Sequence, residues 1–309
     1  MNGKGSFSRG RVLPAVLVFL AVESTAVASL GTPLLPAVEQ AEHVSLAASQ
    51  WALTITLLAG SVVTPVMGRL GDGRWRRRVI VGGVAVMLAG CVLSGVPGGF
   101  GVFLTGRALQ GAGLGLVPLA TAVARDGLPA GRSRPVIAAI VITTAVGIGL
   151  GYPLVGLLAE YLGLYAPFWF VAGLSVLALA ASVAVLPPSP DRAPRLDVPG
   201  ALMLGLGIAG LLLVLASGPV WGWASAATLA SAIASVALLA AWAGWELRAR
   251  SPLIDLRLLR RRPVLAANVT AFGVAVGFYP LASLVVRFAA TPPAAGGVCT
   301  YRTTSDASG

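Results

Sequence analysis

Apolar residues run along this chain in stretches of about 20 or more, broken by short segments of charge, proline and glycine, and an α-helix needs about 20 apolar residues to cross hydrocarbon. Reading the runs against their breaks predicts helices at about 12–35, 46–68, 79–97, 101–124, 135–159, 164–186, 198–217, 225–246 and 264–290. The fold class is therefore all-α: a polytopic helical membrane protein, with a six-helix N-terminal half and about three further transmembrane helices. The segment from Pro187 to Pro199 is rich in Pro, Asp and Arg and reads as the one clear linker. The expected organisation is a six-helix half (1–186), a cytoplasmic linker (187–197), two central helices (198–246), a cytoplasmic loop (247–263) and a ninth helix (264–290). A polar, aperiodic tail (291–309) is expected to be disordered.

Composition sharpens this picture. Of 309 residues, 57% are hydrophobic and only 11% are charged, more apolar surface than a water-soluble fold can hide. The formal charge of +11 would suggest nucleic acid in a soluble protein, but the basic residues sit between the apolar runs and are not interleaved with aromatics. They alternate by loop. Lys4, Arg9 and Arg11, then Arg69 and Arg74 to Arg78, then Arg125, Arg132 and Arg134, then Arg192 and Arg195, then Arg248 to Arg262 all fall on one side. The opposite loops hold Glu39, Glu42, His43 and Glu160 and no Lys or Arg, so the positive-inside rule puts the N-terminus in the cytoplasm. The first run lacks a distinct small-residue cleavage site and is read as a retained helix. Trp221 and Trp223 lie at a predicted outer boundary, where indoles anchor in the headgroup zone. Cys91 and Cys299 have no metal-ligand spacing and no sign of pairing, and neither a metal nor a cofactor is expected.

Four patches carry candidate chemistry. Gly68 to Arg78 (GRLGDGRWRRR) fills the turn between the second and third helices, where glycines permit close approach and Asp72 can accept from neighbouring guanidiniums or a helix N-terminus. The alternative is that the arginines collect there for topology alone. Arg107 stands inside the fourth run, with Gln110 and Gly111 following; an ionisable group in a span faces a cavity or partner unless it snorkels to the interface. In the fifth helix Gly147, Gly151, Pro153 and Gly156 offer close contact and one missing backbone hydrogen bond. Glu23 is the carboxylate near the middle of a span. It can bind and release protons, or it can form a permanent ion pair with Arg107.

These patches resemble motifs of the major facilitator superfamily. Gly68, Leu70, Gly71, Asp72, Arg76 and Arg77 match its loop signature, with Trp75 where the family has a second glycine. The resemblance implies a cytoplasmic latch built from Gly68, Asp72, Arg76 and Arg77. Leu104, Arg107, Gln110 and Gly111 match the fourth-helix pattern, which implies a part in proton coupling for Arg107 and Gln110. Gly147, Gly151, Pro153 and Gly156 resemble the fifth-helix signature of drug exporters, with Tyr152 and Leu157 departing from it. Glu23, Thr25, Leu35 and Pro36 are similar to the first-helix motif of the fourteen-spanner drug:proton antiporters. Helices seven and eight, with Trp221-Gly222-Trp223 between them, resemble the central pair of that branch.

The resemblance implies proton-coupled export of small amphipathic compounds across the cell membrane, with the bilayer, a small-molecule substrate and protons as partners and no nucleic acid. It also implies five more helices after the ninth, so the chain reads as an incomplete transporter, truncated or frameshifted, which a second membrane chain could complete. A metabolite or sugar permease and a non-transporting partner subunit remain alternatives. A membrane enzyme is not indicated, since no His/Asp/Glu cluster or nucleophile with a base stands out and His43 is the single histidine.

Overall fold

The computed structural model describes residues 4–189, 197–249, 254, 256–259 and 261–289. In chain order the helices are α1 (Lys4–Ser29), α2 (Leu35–Ala41), α3 (Leu46–Ser49), α4 (Trp51–Gly71), α5 (Arg76–Ser94), α6 (Phe100–Gln110), α7 (Leu116–Gly127), α8 (Ala130–Leu162), α9 (Ala166–Val185), α10 (Val198–Trp221), α11 (Ala226–Arg248), α12 (Leu256–Leu259) and α13 (Arg262–Ala289). Among the described residues eight helical segments are long and apolar enough to cross a membrane. The ninth expected helix forms as α13, whose described apolar stretch is Arg262–Gly277. The expected tail, with Cys299, and most of the linker, with Arg192 and Arg195, lie outside the described residues.

Besides a one-residue break at Gln50 between α3 and α4, within the expected helix at 46–68, two expected helices are divided. The first run ends at Ser29, passes through a 3₁₀ turn at Thr32–Leu34 and resumes as α2, because Pro33 and Pro36 occupy the starts of the new elements and cannot continue the old ones. The fourth run is split by a 3₁₀ segment at Gly111–Gly115 between α6 and α7. Crowding accounts for this second break. A Cβ on Gly111 would lie 2.7 Å from the Thr56 carbonyl oxygen, and one on Gly113 would lie 2.3 Å from Met87 Sδ. The chain threads this narrow passage only without side chains, and the tighter winding leaves the Gly113 carbonyl accepting from Ser24 Oγ at 2.8 Å.

Helix ends follow local chemistry. Asp197 caps α10 by accepting from the Gly200 N–H at 3.0 Å, and Ser225 caps α11 by accepting from the Thr228 N–H at 3.3 Å. Gly163 and Gly222 close α8 and α10 at φ of +87° and +85°, conformations a residue with a Cβ rarely adopts.

In the unit formed by residues 1–257, α1 packs against α7, α8 and α9, α5 against α6 and α9, and α4 against α6 and α10. Leu17, Leu20, Val27, Met87, Phe103 and Phe168 are buried between them, while Leu150, Leu177, Leu206 and Ile233 point outward. Lipid tails are as apolar as leucine, so helix association here depends on close packing and internal hydrogen bonds. The α5–α6 contact is of that kind: a Cβ on Gly90 would sit 2.6 Å from the Gly106 carbonyl oxygen, and one on Gly106 would sit 2.7 Å from that of Gly90. The second unit, Leu258–Gly309, contains α13.

Candidate functional site

Arg107 lies on α6 with 1% of its surface exposed, so it does not snorkel. Its Nε donates to the Ala52 carbonyl of α4 at 3.0 Å and its Nη1 to Gln110 Oε1 at 2.6 Å. Gln110 is fully enclosed and passes the chain onward, donating Nε2 to the Gly90 carbonyl and to Ser94 Oγ of α5, each at 3.2 Å. Thr56 Oγ1 reaches back from α4 to the Arg107 carbonyl at 3.0 Å. The guanidinium also stands 6.0 Å from the Phe168 ring centre, and Phe168 meets Phe103 edge-on. A cation in low dielectric must fill its donor directions, and here α4 supplies a main-chain carbonyl and α6 the Gln110 side chain, which α5 in turn holds.

Glu23 of α1 is fully buried, and neither of its carboxylate oxygens has a hydrogen-bond partner among the described residues. The ion pair with Arg107 considered from the sequence does not form; Arg76 and Arg125 pair with Asp126 elsewhere in the bundle. Arg107 and Glu23 nevertheless share one neighbour, since Cys91 on α5 lies within electrostatic reach of both. Ser175 of α9 faces the same region, with its hydroxyl donated to the Val171 carbonyl at 3.0 Å.

One helical turn beyond Glu23, α1 meets the glycines of α8. A Cβ on Gly147 would lie 2.7 Å from Thr25 Cγ2, and one on Gly151 would lie 2.2 Å from Ser29 Oγ. Thr25 and Ser29 donate their hydroxyls to the Ala21 and Thr25 carbonyls, while their side chains fill the space that the two glycines leave. Gly156 has open space beside it and Pro153 is exposed, so only two of the four motif residues build this seam. The helix assignment of α8 runs unbroken through Pro153.

The turn between α4 and α5 departs from expectation. Asp72 is exposed and its backbone N–H closes α4 on the Gly68 carbonyl at 3.1 Å. The Arg76 guanidinium goes instead to the Gly71 carbonyl at 2.7 Å and to Asp126 Oδ2 of α7 at 2.8 Å. Arg77 donates its backbone N–H to Ser189 Oγ at 3.0 Å and its guanidinium to the Val183 carbonyl, tying α5 to the end of α9. Gly71, not Gly68, makes the close approach: a Cβ there would lie 2.2 Å from Leu119 Cδ2, whereas Gly68 faces open space. Sequence reasoning passed over Asp126, although it is the lone acid among Arg125, Arg132 and Arg134. On the other side of the bundle, Tyr165 donates its hydroxyl to Glu42 Oε1 at 3.0 Å, joining two loops expected to lie outside.

Among the described residues eight helical segments long and apolar enough to cross a membrane, with Arg107 and Glu23 buried among them, define a polytopic helical membrane protein. The sequence matches the Major Facilitator Superfamily over residues 17–299, and the chain belongs to that family. It is 31% identical to the tetracenomycin C resistance and export protein of Streptomyces glaucescens, across 87% of this chain and 51% of that protein. It is 32% identical to the cephamycin export protein of Amycolatopsis lactamdurans, across 80% of this chain and 51% of that one. The chain thus spans about half the length of these curated relatives. In fold it is similar to the crystal structure of a peptide transporter of the POT family in complex with sulfate, with a TM-score of 0.56 and 18% identity over 77% of this chain and 53% of that one.

Proposed function

We propose that this chain is part of a proton-coupled exporter of small amphipathic compounds in the cell membrane, with Glu23 as the proton-carrying group. The observation that carries the reading is the setting of Glu23: a buried carboxyl with no cation paired to it and the Ser175 hydroxyl facing it changes its protonation with the access of water to it. An exporter driven by protons needs one such group, and needs it on a helix that can shift. The seam between α1 and α8 at Gly147 and Gly151 supports that requirement, because small residues there bring the two helices into close contact and couple a shift of α8 to α1. Arg107 and Gln110 serve as positioning residues, joining α4, α5 and α6 into one body behind the carboxyl. The latch comprises Arg76 with Asp126 and Arg77 with α9, while Asp72 and Gly68 shape the turn. Export, rather than uptake, is supported by the names of both relatives. In this fold class substrate passes between two halves, so the second half, whether from the same polypeptide or a partner chain, belongs to the proposal.

The test is proton movement in liposomes that carry this chain assembled with the second transporter half, and an internal pH-sensitive dye. Addition of an amphipathic cationic dye as substrate drives proton flux in the wild type, and Glu23→Gln abolishes it. Unchanged coupling in Glu23→Gln removes this residue from the mechanism, and absence of substrate-driven flux in the wild type removes the export reading for this chain.

A further inference from the structure

Arg74, Trp75, Arg77, Arg78 and Ser189 line a cavity of about 680 Å³ at the arginine-rich end of α5, walled on its apolar side by Val81 and Val183. The guanidinium carbons of Arg74 and Arg78 lie 5.3 and 4.8 Å from the Trp75 ring centre, so the indole holds both cations against the cavity. Arg77 donates to the Val183 carbonyl and, with five N–H donors on each guanidinium, keeps others unspent. Among the described residues lining this space there is no Asp or Glu, and Asp126 pairs with other arginines, Arg76 and Arg125. Three cations around one cavity suit an anionic ligand.

The placement says which anion. Trp75 is the residue just before α5 enters the bilayer, an indole at headgroup depth, and Val81 and Val183 continue the wall into the hydrocarbon zone. A ligand that fits has a phosphate at the arginines and an apolar body running down the two valines. We infer that this cavity binds an anionic phospholipid of the arginine-rich leaflet, its phosphate on Arg74, Arg77 and Arg78 and its chains against Val81 and Val183. The consequence for the protein is a lipid wedged where α5 and α9 are tied, so that the composition of the leaflet acts on the same tie that Arg77 makes.

Native mass spectrometry of the purified protein released from detergent, with phosphatidylglycerol or phosphatidylcholine added, tests this. The wild type retains phosphatidylglycerol preferentially. Arg74→Gln with Arg78→Gln weakens retention by roughly 30-fold, the loss expected for two guanidiniums near the surface. Arg74→Lys with Arg78→Lys keeps most of it, and Arg132→Gln with Arg134→Gln, on the same side but away from the cavity, keeps all of it. Equal retention of the two lipids by the wild type overturns the inference, as does an equal loss in the Arg132 and Arg134 variant. Complete displacement of phosphatidylglycerol by excess inorganic phosphate would assign the cavity to a soluble anion and overturn the lipid assignment. Should the glutamine variant fail to fold, the wild type still decides: its melting temperature rises in phosphatidylglycerol relative to phosphatidylcholine if the inference holds, and is equal in both if it does not.

Discussion

A glycine in a membrane helix has value only where something comes close to it, and this chain separates the two cases sharply. A Cβ on Gly106 would stand 2.7 Å from both the Gly90 carbonyl oxygen and the Ser94 backbone nitrogen, atoms of a helix that cannot turn aside. Gly106→Ala is therefore expected to lower stability by about 1–3 kcal/mol, the usual cost of overpacking. Gly156 sits in a motif yet has nothing within 4 Å, so Gly156→Ala loses nothing and gains up to about 1 kcal/mol of helix propensity. Melting temperatures in detergent check the pair: a fall for Gly156→Ala, or none for Gly106→Ala, contradicts the packing. The sequence made these glycines visible as a group but could not rank them, because a pattern of small residues does not say which face meets a neighbour. Arg107 and Gln110 were legible as members of one motif but not as each other's partners, although a spacing of three puts them on one face of a helix. Ser94 and Thr56 were not, because a single hydroxyl in an apolar run has many harmless uses.

At the scale of elements, the charged turn acts through a helix distant in sequence. Arg76 begins α5 and Asp126 ends α7, and their 2.8 Å contact fixes those two ends to each other. The Arg76 side chain is 10% exposed and that of Asp126 is 41% exposed, so solvent screens the pair and its coupling is expected to be about 1 kcal/mol. A double-mutant cycle with Arg76→Gln and Asp126→Asn measures it, and additive effects of the two changes would mean that the ends are held by other contacts. Helix positions were readable from hydropathy because spans are long and their breaks polar. The division at Gly111–Gly115 was hidden for the complementary reason: the segment is as apolar as the helices on either side, and its 3₁₀ winding comes from Thr56, Met67 and Met87 crowding it in space. The first run was divided by Pro33 and Pro36, whose signal was present in the sequence and outweighed by hydropathy.

For the whole molecule, the alternation of basic and acidic loops predicts that α8 carries the chain from one side of the membrane to the other. At 1.5 Å per residue its 33 residues reach about 50 Å, enough to cross with exposed positions at both ends. Arg132→Cys and Glu160→Cys, each with Cys299→Ser and treated in intact cells with a membrane-impermeant maleimide, should differ: Glu160→Cys is labelled at once and Arg132→Cys only after permeabilisation. Labelling of both from one side would overturn the topology. Cys91, fully buried, should stay silent in either case. The succession of spans was the most legible property of this protein because it is written in hydropathy, whereas the polar interior depends on carbonyls that every residue possesses. That last point bears on inheritance. Arg107 is held partly by the Ala52 carbonyl, and Gln110 by that of Gly90, so a codon change at Ala52 alters a methyl group and leaves the acceptor in place. Substitution can remove the arginine or the glutamine, but only an insertion or deletion that shifts the register of α4 or α5 can remove what they hold. Across descendants of this gene, the donors should be kept by selection and the acceptors by grammar.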